Sequence, residues 1–379
     1  MLNELSGMSE FDHLGLSSDH RQLMRVASGC AKRIFLAPMD KGLSGSVLWQ
    51  ARWEMPGSRL SKLHVFKIGK RSKLIREENA VINVASAIEI GFPLMKLFSV
   101  ESIEPVLLRQ EFTGDLEGPT ISLRLYLQDN QRCPDASAAV QIIQDLYFKR
   151  MRDWHPLQGS NVLHTEETST LSEALPILAK KIDLSRGASQ IGRTALDRSL
   201  ARRYKTSIDS LSKAVDAVRN MPLNLTIGPV HGDLHAQNVN VDSNGNLHLI
   251  DFASTGYAWR AIDFIVMECA LKFATTPSNA TPEDLLELEA TIEEFWCNPN
   301  PNSCSCMRDC FYGTELEKVS AAVCAVRTCA ADLKAIADIR LYRIGLVYFT
   351  AAMATIESLI NRIFLFHSLA HQLLLLDLL

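Results

Sequence analysis

The sequence predicts an α+β fold of two lobes, a small one built on an antiparallel sheet and a larger, mainly helical one. Three observations predict it. The chain has 379 residues, enough for a large core and more than one average domain. Its texture then changes along its length: short strand-like runs dominate from about Ile34 to Phe112, and amphipathic helical runs dominate after Gly114. Within the helical half, the stretch VHGDLHAQNVNVDSNGNLHLIDF reads as an isolated hairpin. The expected division is 1–33 as an N-terminal helical extension, 34–113 as the small lobe, and 114–379 as the helical lobe.

The strand-like runs of the small lobe are RIFLAPM, SVLWQARW, LHVFKIG and PVLLRQEF, with one helical run, KLIREENAVINVASAI, among them. In the helical lobe, apolar residues recur at spacings of three and four in AAVQIIQDLYFKRMRDWH, LSEALPILAKKI, SIDSLSKAVDAVRNM, DLLELEATIEEFW, EKVSAAVCAVRTCAADLKAI and the C-terminal run. The polar LHTEETST reads as a mobile loop, and no internal repeat is visible.

Composition narrows the function classes. A hydrophobic content of 47% with 22% charged residues is that of an ordinary globular enzyme and not of a disordered chain. A formal charge of -4 and a pI near 6.2 argue against an extended nucleic-acid surface, which needs a broad basic face. The N-terminus, MLNELSGMSEFDHLG, has no basic start followed by an apolar run, so no signal peptide is read and a cytoplasmic location is expected. The apolar run LINRIFLFHSLAHQLLLLDLL is interrupted by Asn361, Arg362, His367, His371 and Gln372, which suits a buried helix better than a membrane span. The nine cysteines are mostly scattered, as in a reducing compartment. Cys297, Cys304, Cys306 and Cys310 share one loop, but without paired C-x-x-C knuckles they read first as free thiols and second as a zinc site.

The hairpin carries the chemistry. Val239 and Val241 alternate with polar residues on one side, Leu247 and Leu249 on the other, and Asn244-Gly245 between them tolerates positive φ. Taken as a two-residue turn, Asn244-Gly245 sets Ser243 opposite Asn246 and, counting outward, Asn238 opposite Asp251. Opposed side chains on one face are roughly 5 Å apart at Cβ, close enough for two oxygen ligands to share one cation. Asp233, just upstream in HGDLHAQ, then lies beside the metal without binding it. A carboxylate beside Mg²⁺ stays ionised and can take a proton from a substrate hydroxyl, the general-base role in phosphoryl transfer. The bland reading is that these are turn residues such as any protein uses; their order and spacing favour the functional one.

HGDLHAQNVNVD resembles the catalytic loop of the aminoglycoside phosphotransferase and choline kinase group, which has a protein-kinase-like fold, and LIDF resembles that group's metal-binding segment. The resemblance implies Asp233 as catalytic base and Asn238 and Asp251 as magnesium ligands. It also implies Asp263, in the later AIDF, as a structural aspartate, and His231 as a residue bracing the loop. KIGKRSKLIREENAV and LYFKRMRDWH further resemble a bacterial branch of this fold, the ternary-complex-associated kinase-like domains. Together the resemblance covers roughly Leu36 to Phe273.

A kinase reading makes demands on the N-terminal half. MDKGLSGSVLWQARW offers Gly42, Ser44, Gly45 and Ser46 between two strands, where backbone N–H groups can approach phosphate. HVFKIG sets Lys67 on a strand for the phosphate oxygens. Glu77 and Glu78 follow on a helix, and either can hold that lysine; Glu77, which shares a face with Val81 and Val84, is preferred. The backbone near Gln110, Glu111 and Phe112 is expected to meet the adenine. The cofactors expected are ATP, with GTP left open, and Mg²⁺.

Departures from the pattern matter too. Ala253 stands where protein kinases carry a glycine after Asp-Phe, and His235 where Ser/Thr protein kinases commonly carry lysine. Only STGYAWR separates LIDFA from AIDF, too little for a protein-kinase activation loop, so a small-molecule acceptor is expected. No feature names that acceptor or sets an oligomeric state. The leading expectation is a phosphotransferase acting on a hydroxyl. The alternative is a nucleotide-binding pseudoenzyme or regulatory module using Lys70, Arg71, Lys73 and Arg76 as a contact face, and a protein or nucleic-acid acceptor is a third version.

Overall fold

A computed structural model describes residues 8–39, 46–57, 59–85, 94–101, 103–111, 120–155, 165–277, 279–297, 311, 314–336, 338–356 and 361–379. The chain is α+β and forms two compact units, Met1–Tyr126 with His231–Gly256, and Leu127–Val230 with Tyr257–Leu379.

The first unit opens with a short strand β1 (Ser9–Glu10) and helix α1 (Ser18–Ala27), whose N-cap Ser17 accepts the His20 N–H. Then come β2 (Ile34–Pro38), β3 (Val47–Met55), β4 (Arg59–Leu60), β5 (His64–Lys70), helix α2 (Arg71–Ala85), β6 (Met95–Phe98), β7 (Pro105–Glu111) and β8 (Ile121–Ser122), leading into α3 (Leu123–Gln128). The main sheet is antiparallel in the order β1-β2-β3-β5-β7-β6, with β4 paired to β3. Residues His64 to Ile68 of β5 are all buried. A strand covered on both faces reads as a continuous apolar run, which makes a buried lysine within it conspicuous. Leu23, Met24 and Ala27 of α1 pack with Phe66, Ile68 and Leu107 of the sheet in one apolar cluster.

The chain then enters the second unit with α4 (Ala136–Asp145), which runs into a π-helical turn at Leu146–Arg150, and with β9 (Thr165–Ser169). Short helices α5 (Leu171–Ala174), α6 (Pro176–Ala179) and α7 (Leu184–Ser189) lead to α8 (Arg193–Tyr204), α9 (Ile208–Arg219) and β10 (Leu223–Val230). Pro176 opens α6, so LSEALPILAKKI forms two short helices and not one. The stretch expected as a mobile loop is strand β9, because Thr165 to Ser169 pair antiparallel with Ile227 to Leu223. The polar α8 has no clear apolar period and was not read from the sequence.

His231–Gly256 returns the chain to the first unit as the hairpin β11 (Val239–Val241) and β12 (Leu247–Leu249), with β8 added on the other side of β11. β13 (Gly256–Trp259) then joins a three-stranded sheet, β13-β10-β9. Helix α10 (Ile262–Ala270), buried at every position, continues through a π-helical turn at Leu271–Thr275. Helices α11 (Pro282–Cys297), α12 (Glu315–Asp332), α13 (Ile339–Met353) and α14 (Arg362–Leu375) complete the unit. Among the described residues no helix is long and apolar enough to cross a membrane.

Two boundaries differ from expectation. The first unit runs to Tyr126 and takes in the hairpin, because β11 pairs with β8 and because α2 packs on the short helical turn after Asp251. Residues 1–33 are helical over Ser18–Ala27, but Ser9–Glu10 adds an edge strand to the sheet.

Candidate active site

Helix α2 places the first component. Leu74, Glu77, Val81 and Val84 lie at helical spacing and are all buried, so the face that enters the core carries one carboxylate. Glu77 Oε2 lies 2.7 Å from Lys67 Nζ, while Glu77 Oε1 accepts the Phe252 N–H at 3.2 Å. One side chain thus ties α2 to β5 and to the segment after the hairpin. Glu78, one step round the helix, accepts the Leu97 N–H instead.

Asp251 meets the same lysine from the other side, with Lys67 Nζ 2.7 Å from Oδ1. Its backbone is left-handed, φ 61°, an arrangement open to a short polar residue and closed to most others. Burial works against the Lys67 ammonium, yet Glu77 and Asp251 outweigh it and raise its pKa. Burial likewise opposes the Asp251 carboxylate, and Lys67 outweighs it, so Asp251 titrates below its usual range. Glu77 is pushed up, first by burial and then by the charge of Asp251. Two carboxylates against one ammonium leave the cluster with an excess of negative charge.

The hairpin register differs by one residue from the one calculated above. Val239 pairs with Leu249, Asn240 with His248 and Val241 with Leu247, so Asn238 lies opposite Ile250 and not Asp251. The Ile250 N–H donates to the Asn238 carbonyl at 3.0 Å. The cause is Asp242, whose carboxylate accepts the N–H groups of Asn244 and Asn246, both at 2.8 Å. It holds a three-residue loop with Gly245 at φ 81° in place of a two-residue turn. Asp251 therefore follows the strand and reaches the site through its left-handed backbone.

The loop His231–Asn238 is fixed by its own contacts. Fully buried His231 shares a hydrogen bond between Nε2 and the Ile250 carbonyl at 3.0 Å, and its carbonyl accepts the Thr255 hydroxyl. Burial lowers the His231 pKa from 6.5 to about 4, so the ring is neutral at pH 7. Gly232 sits at φ 80°, and a Cβ there would collide with the Ser254 carbonyl. Asn238 Nδ2 donates to the Asp233 carbonyl at 2.8 Å, which leaves Oδ1 as the ligand-capable atom. The Asp233 side chain is 49% exposed, with His235 Nε2 3.9 Å from its Oδ2.

Other expected residues divide. Gly42, Ser44, Gly45 and Phe112 lie outside the described residues, as do Cys304, Cys306 and Cys310; Cys297 ends α11. Ser46 is buried just before β3. Gln110 and Glu111 are inside the sheet. Gln110 pairs with Val65 and Met95, and the Glu111 N–H donates to the Leu94 carbonyl, so the backbone of these two residues is engaged by neighbouring segments. The Gln110 side chain instead donates to the Leu249 carbonyl at 2.7 Å. Asp263 belongs to the second unit, where it is fully buried in the first turn of α10 with His155 Nε2 3.9 Å from its Oδ2.

The second unit holds a buried charge network that sequence reasoning missed. Arg327 makes a forked contact with Glu268 at 2.7 and 2.9 Å and meets Glu293 at 2.9 Å. Lys272 meets Glu289 at 2.6 Å, Arg343 meets Glu293 at 2.7 Å, and Tyr342 donates to Glu268. Ser368 and Gln372 donate to Glu289. Burial opposes Glu293, yet Arg327 and Arg343 hold it well below the usual carboxylate range. The local signal was the i,i+4 spacing of Glu268 with Lys272 and of Glu289 with Glu293.

The sequence model of a family described as ternary complex associated domain 9 matches residues 197–343. No curated protein matches the chain in sequence. Among solved structures, the chain is similar to choline kinase LicA from Streptococcus pneumoniae, with a TM-score of 0.43 and 10% identity over 94% of this chain and 96% of that one. It is similar to a thermostable mutant of aminoglycoside phosphotransferase APH(4)-Ia in ternary complex with ADP and hygromycin B, with a TM-score of 0.41 and 11% identity over 84% and 98%. A Plasmodium vivax ethanolamine kinase gives 0.35 and 11% over 96% and 84%.

Proposed function

We propose that this chain is an ATP- and Mg²⁺-dependent phosphotransferase that moves a phosphoryl group to a hydroxyl of a small molecule. The observation that carries this reading is Lys67, buried and held between Glu77 and Asp251 at 2.7 Å on each side. In the buried network of the second unit every cation shared by two carboxylates is matched by further cations, whereas Lys67 alone faces Glu77 and Asp251. A lysine shared by a helix carboxylate and a second one on a left-handed backbone is prepared to give up part of its contact to phosphate oxygens.

The donor set fits a hard divalent cation. Asp251 and Asn238 supply oxygen atoms, the cluster around Lys67 has negative charge in excess, and Mg²⁺ is commonly held by one or two protein oxygens with phosphates and water completing its shell. Bound there, Mg²⁺ would neutralise charge on the phosphates. The remaining work falls to the chain. Lys67 steadies phosphate oxygens, and Glu77 fixes the height of that lysine. Asp233, exposed and joined through its carbonyl to Asn238, orients the acceptor hydroxyl and takes its proton as the new P–O bond forms and the bond from the γ-phosphorus to the bridging oxygen breaks, releasing ADP. His231, neutral and bonded to the Ile250 carbonyl, holds the loop and moves no proton.

The test is transfer of the γ-phosphoryl group of labelled ATP to a panel of hydroxylated small molecules and to water. Activity in the wild type that disappears in Asp233→Asn, with ATP affinity retained, is the expected result. Full turnover in Asp233→Asn would contradict the base assignment. ATP binding without turnover on any acceptor would favour the regulatory reading.

A further inference from the structure

A second site lies in the helical unit. A cavity of about 300 Å³ opens between the start of α11 and the first turn of α14. Its walls are apolar, with Leu285 and Leu286 on α11 and Ile363 and Phe364 on α14, and three polar side chains, Asn361, Arg362 and His367, interrupt them. An apolar pocket with a few converging polar groups is the usual form of a small-ligand site. It is not the site described above. Its lining residues all belong to the second unit, and none of them is part of the Lys67 cluster or of the loop His231–Asn238.

The polar groups there are incompletely used. Asn361, the N-cap residue of α14, does not cap its own helix; its amide donates to Thr276 Oγ1 at 2.6 Å and to the Pro277 carbonyl at 3.3 Å. The first turn of α14 therefore keeps N–H groups without a side-chain acceptor. Arg362 bonds through one terminal nitrogen to the Ile356 carbonyl, its Nε is buried with no hydrogen-bond partner, and no carboxylate among the described residues pairs with it. His367 is 3% exposed and shares a hydrogen bond between Nε2 and the Ser199 hydroxyl, while its Nδ1 has no partner. Burial and then the charge of Arg203 keep His367 below its ordinary pKa, with Glu283 opposing, so the ring is neutral.

We infer that this cavity binds a small amphiphilic carboxylate, its head on Arg362 and the first turn of α14 and its apolar body between α11 and α14. One guanidinium and a helix N-terminus balance a single negative charge. A dianion would be left partly uncompensated, and a cation would face Arg362 directly. The apolar walls reject a small hydrophilic anion, which keeps more of its hydration in water.

The test uses the full-length chain and three probes with one ten-carbon body, decanoate, decan-1-ol and decylammonium, titrated calorimetrically below micellar concentrations. Decanoate is expected to bind one molecule per chain, with the other two at least about tenfold weaker. Arg362→Gln should lower decanoate affinity about tenfold without altering the circular dichroism spectrum. Ile363, already half exposed, gives a second variant that spares the core: Ile363→Asp should abolish decanoate binding by placing a carboxylate at the mouth. Hydrogen exchange should slow in 361–367 on decanoate addition. Equal binding of all three probes, no binding of decanoate, or decanoate affinity unchanged in both variants would overturn the proposal.

Discussion

Among the described residues, two clusters bring buried acids and cations together, and they differ in balance. In the second unit, Glu268, Glu289 and Glu293 meet Lys272, Arg327 and Arg343, acids and cations in equal number, with Tyr342, Ser368 and Gln372 filling remaining acceptor positions. In the first unit, Glu77 and Asp251 share the single cation Lys67. Burying a charge is costly unless it is paired, so a balanced network is complete as it stands and works as structure. Under the function proposed above, the unbalanced one is completed by a cation that arrives. On that reading the same residue types serve a core in one region and a binding site in the other.

That contrast can be broken or sharpened by substitution. The largest effect is expected at Asp233, which belongs to neither cluster's pairing: Asp233→Asn should lower transfer by about 10²- to 10⁴-fold while leaving stability and nucleotide affinity near wild type. Next, Glu268→Ala should leave Arg327 with Glu293 as its remaining carboxylate and the Tyr342 hydroxyl without its acceptor, destabilising the second unit by about 3–5 kcal/mol in urea unfolding, with nucleotide affinity of the folded protein unchanged. A small loss there would mean that the network is not the structural element its balance implies.

A pH effect of intermediate size follows from His231. Its folded pKa of about 4 lies below the ordinary 6.5, so between these values the unfolded chain binds the extra proton and stability rises with pH. The contribution is full above about 6.5 and is lost toward 4, at up to about 1.4 kcal/mol for each pH unit crossed. Comparing unfolding midpoints at pH 7 and pH 5 in wild type and His231→Asn should show a smaller drop in the variant; equal drops would remove His231 as the cause. The smallest effect is expected from Glu78→Gln, within about 0.5 kcal/mol, since Gln can still accept the Leu97 N–H. Glu77→Gln beside it should weaken nucleotide binding.

Much of the first cluster could be read in advance because its information is local. Glu77 shares a helical face with Val81 and Val84, and periodicity alone turns it inward toward the strand carrying Lys67. The hairpin was legible as an element and misread by one residue, because the Asp242 carboxylate takes the N–H bonds that would otherwise have closed a two-residue turn. PVLLRQEF was legible as a strand, and the ladder runs through Gln110 and Glu111 as that reading expects. β9 was hidden by its polar composition, since its pairing with β10 needs a partner more than fifty residues away. The second cluster joins α10 to α14 from five separate helices, and the i,i+4 spacings of Glu268 with Lys272 and of Glu289 with Glu293 do not say which partners on the other helices they meet.

The central claim is that the Lys67 cluster lacks a positive charge that Mg²⁺ supplies when it arrives with a nucleotide. Calorimetric titration of ATP with and without Mg²⁺ into the wild type and Asp251→Asn tests it most directly. Magnesium-dependent binding in the wild type that is lost in Asp251→Asn is the expected result. Absence of nucleotide binding in the wild type, or binding indifferent to both Mg²⁺ and Asp251, would contradict it.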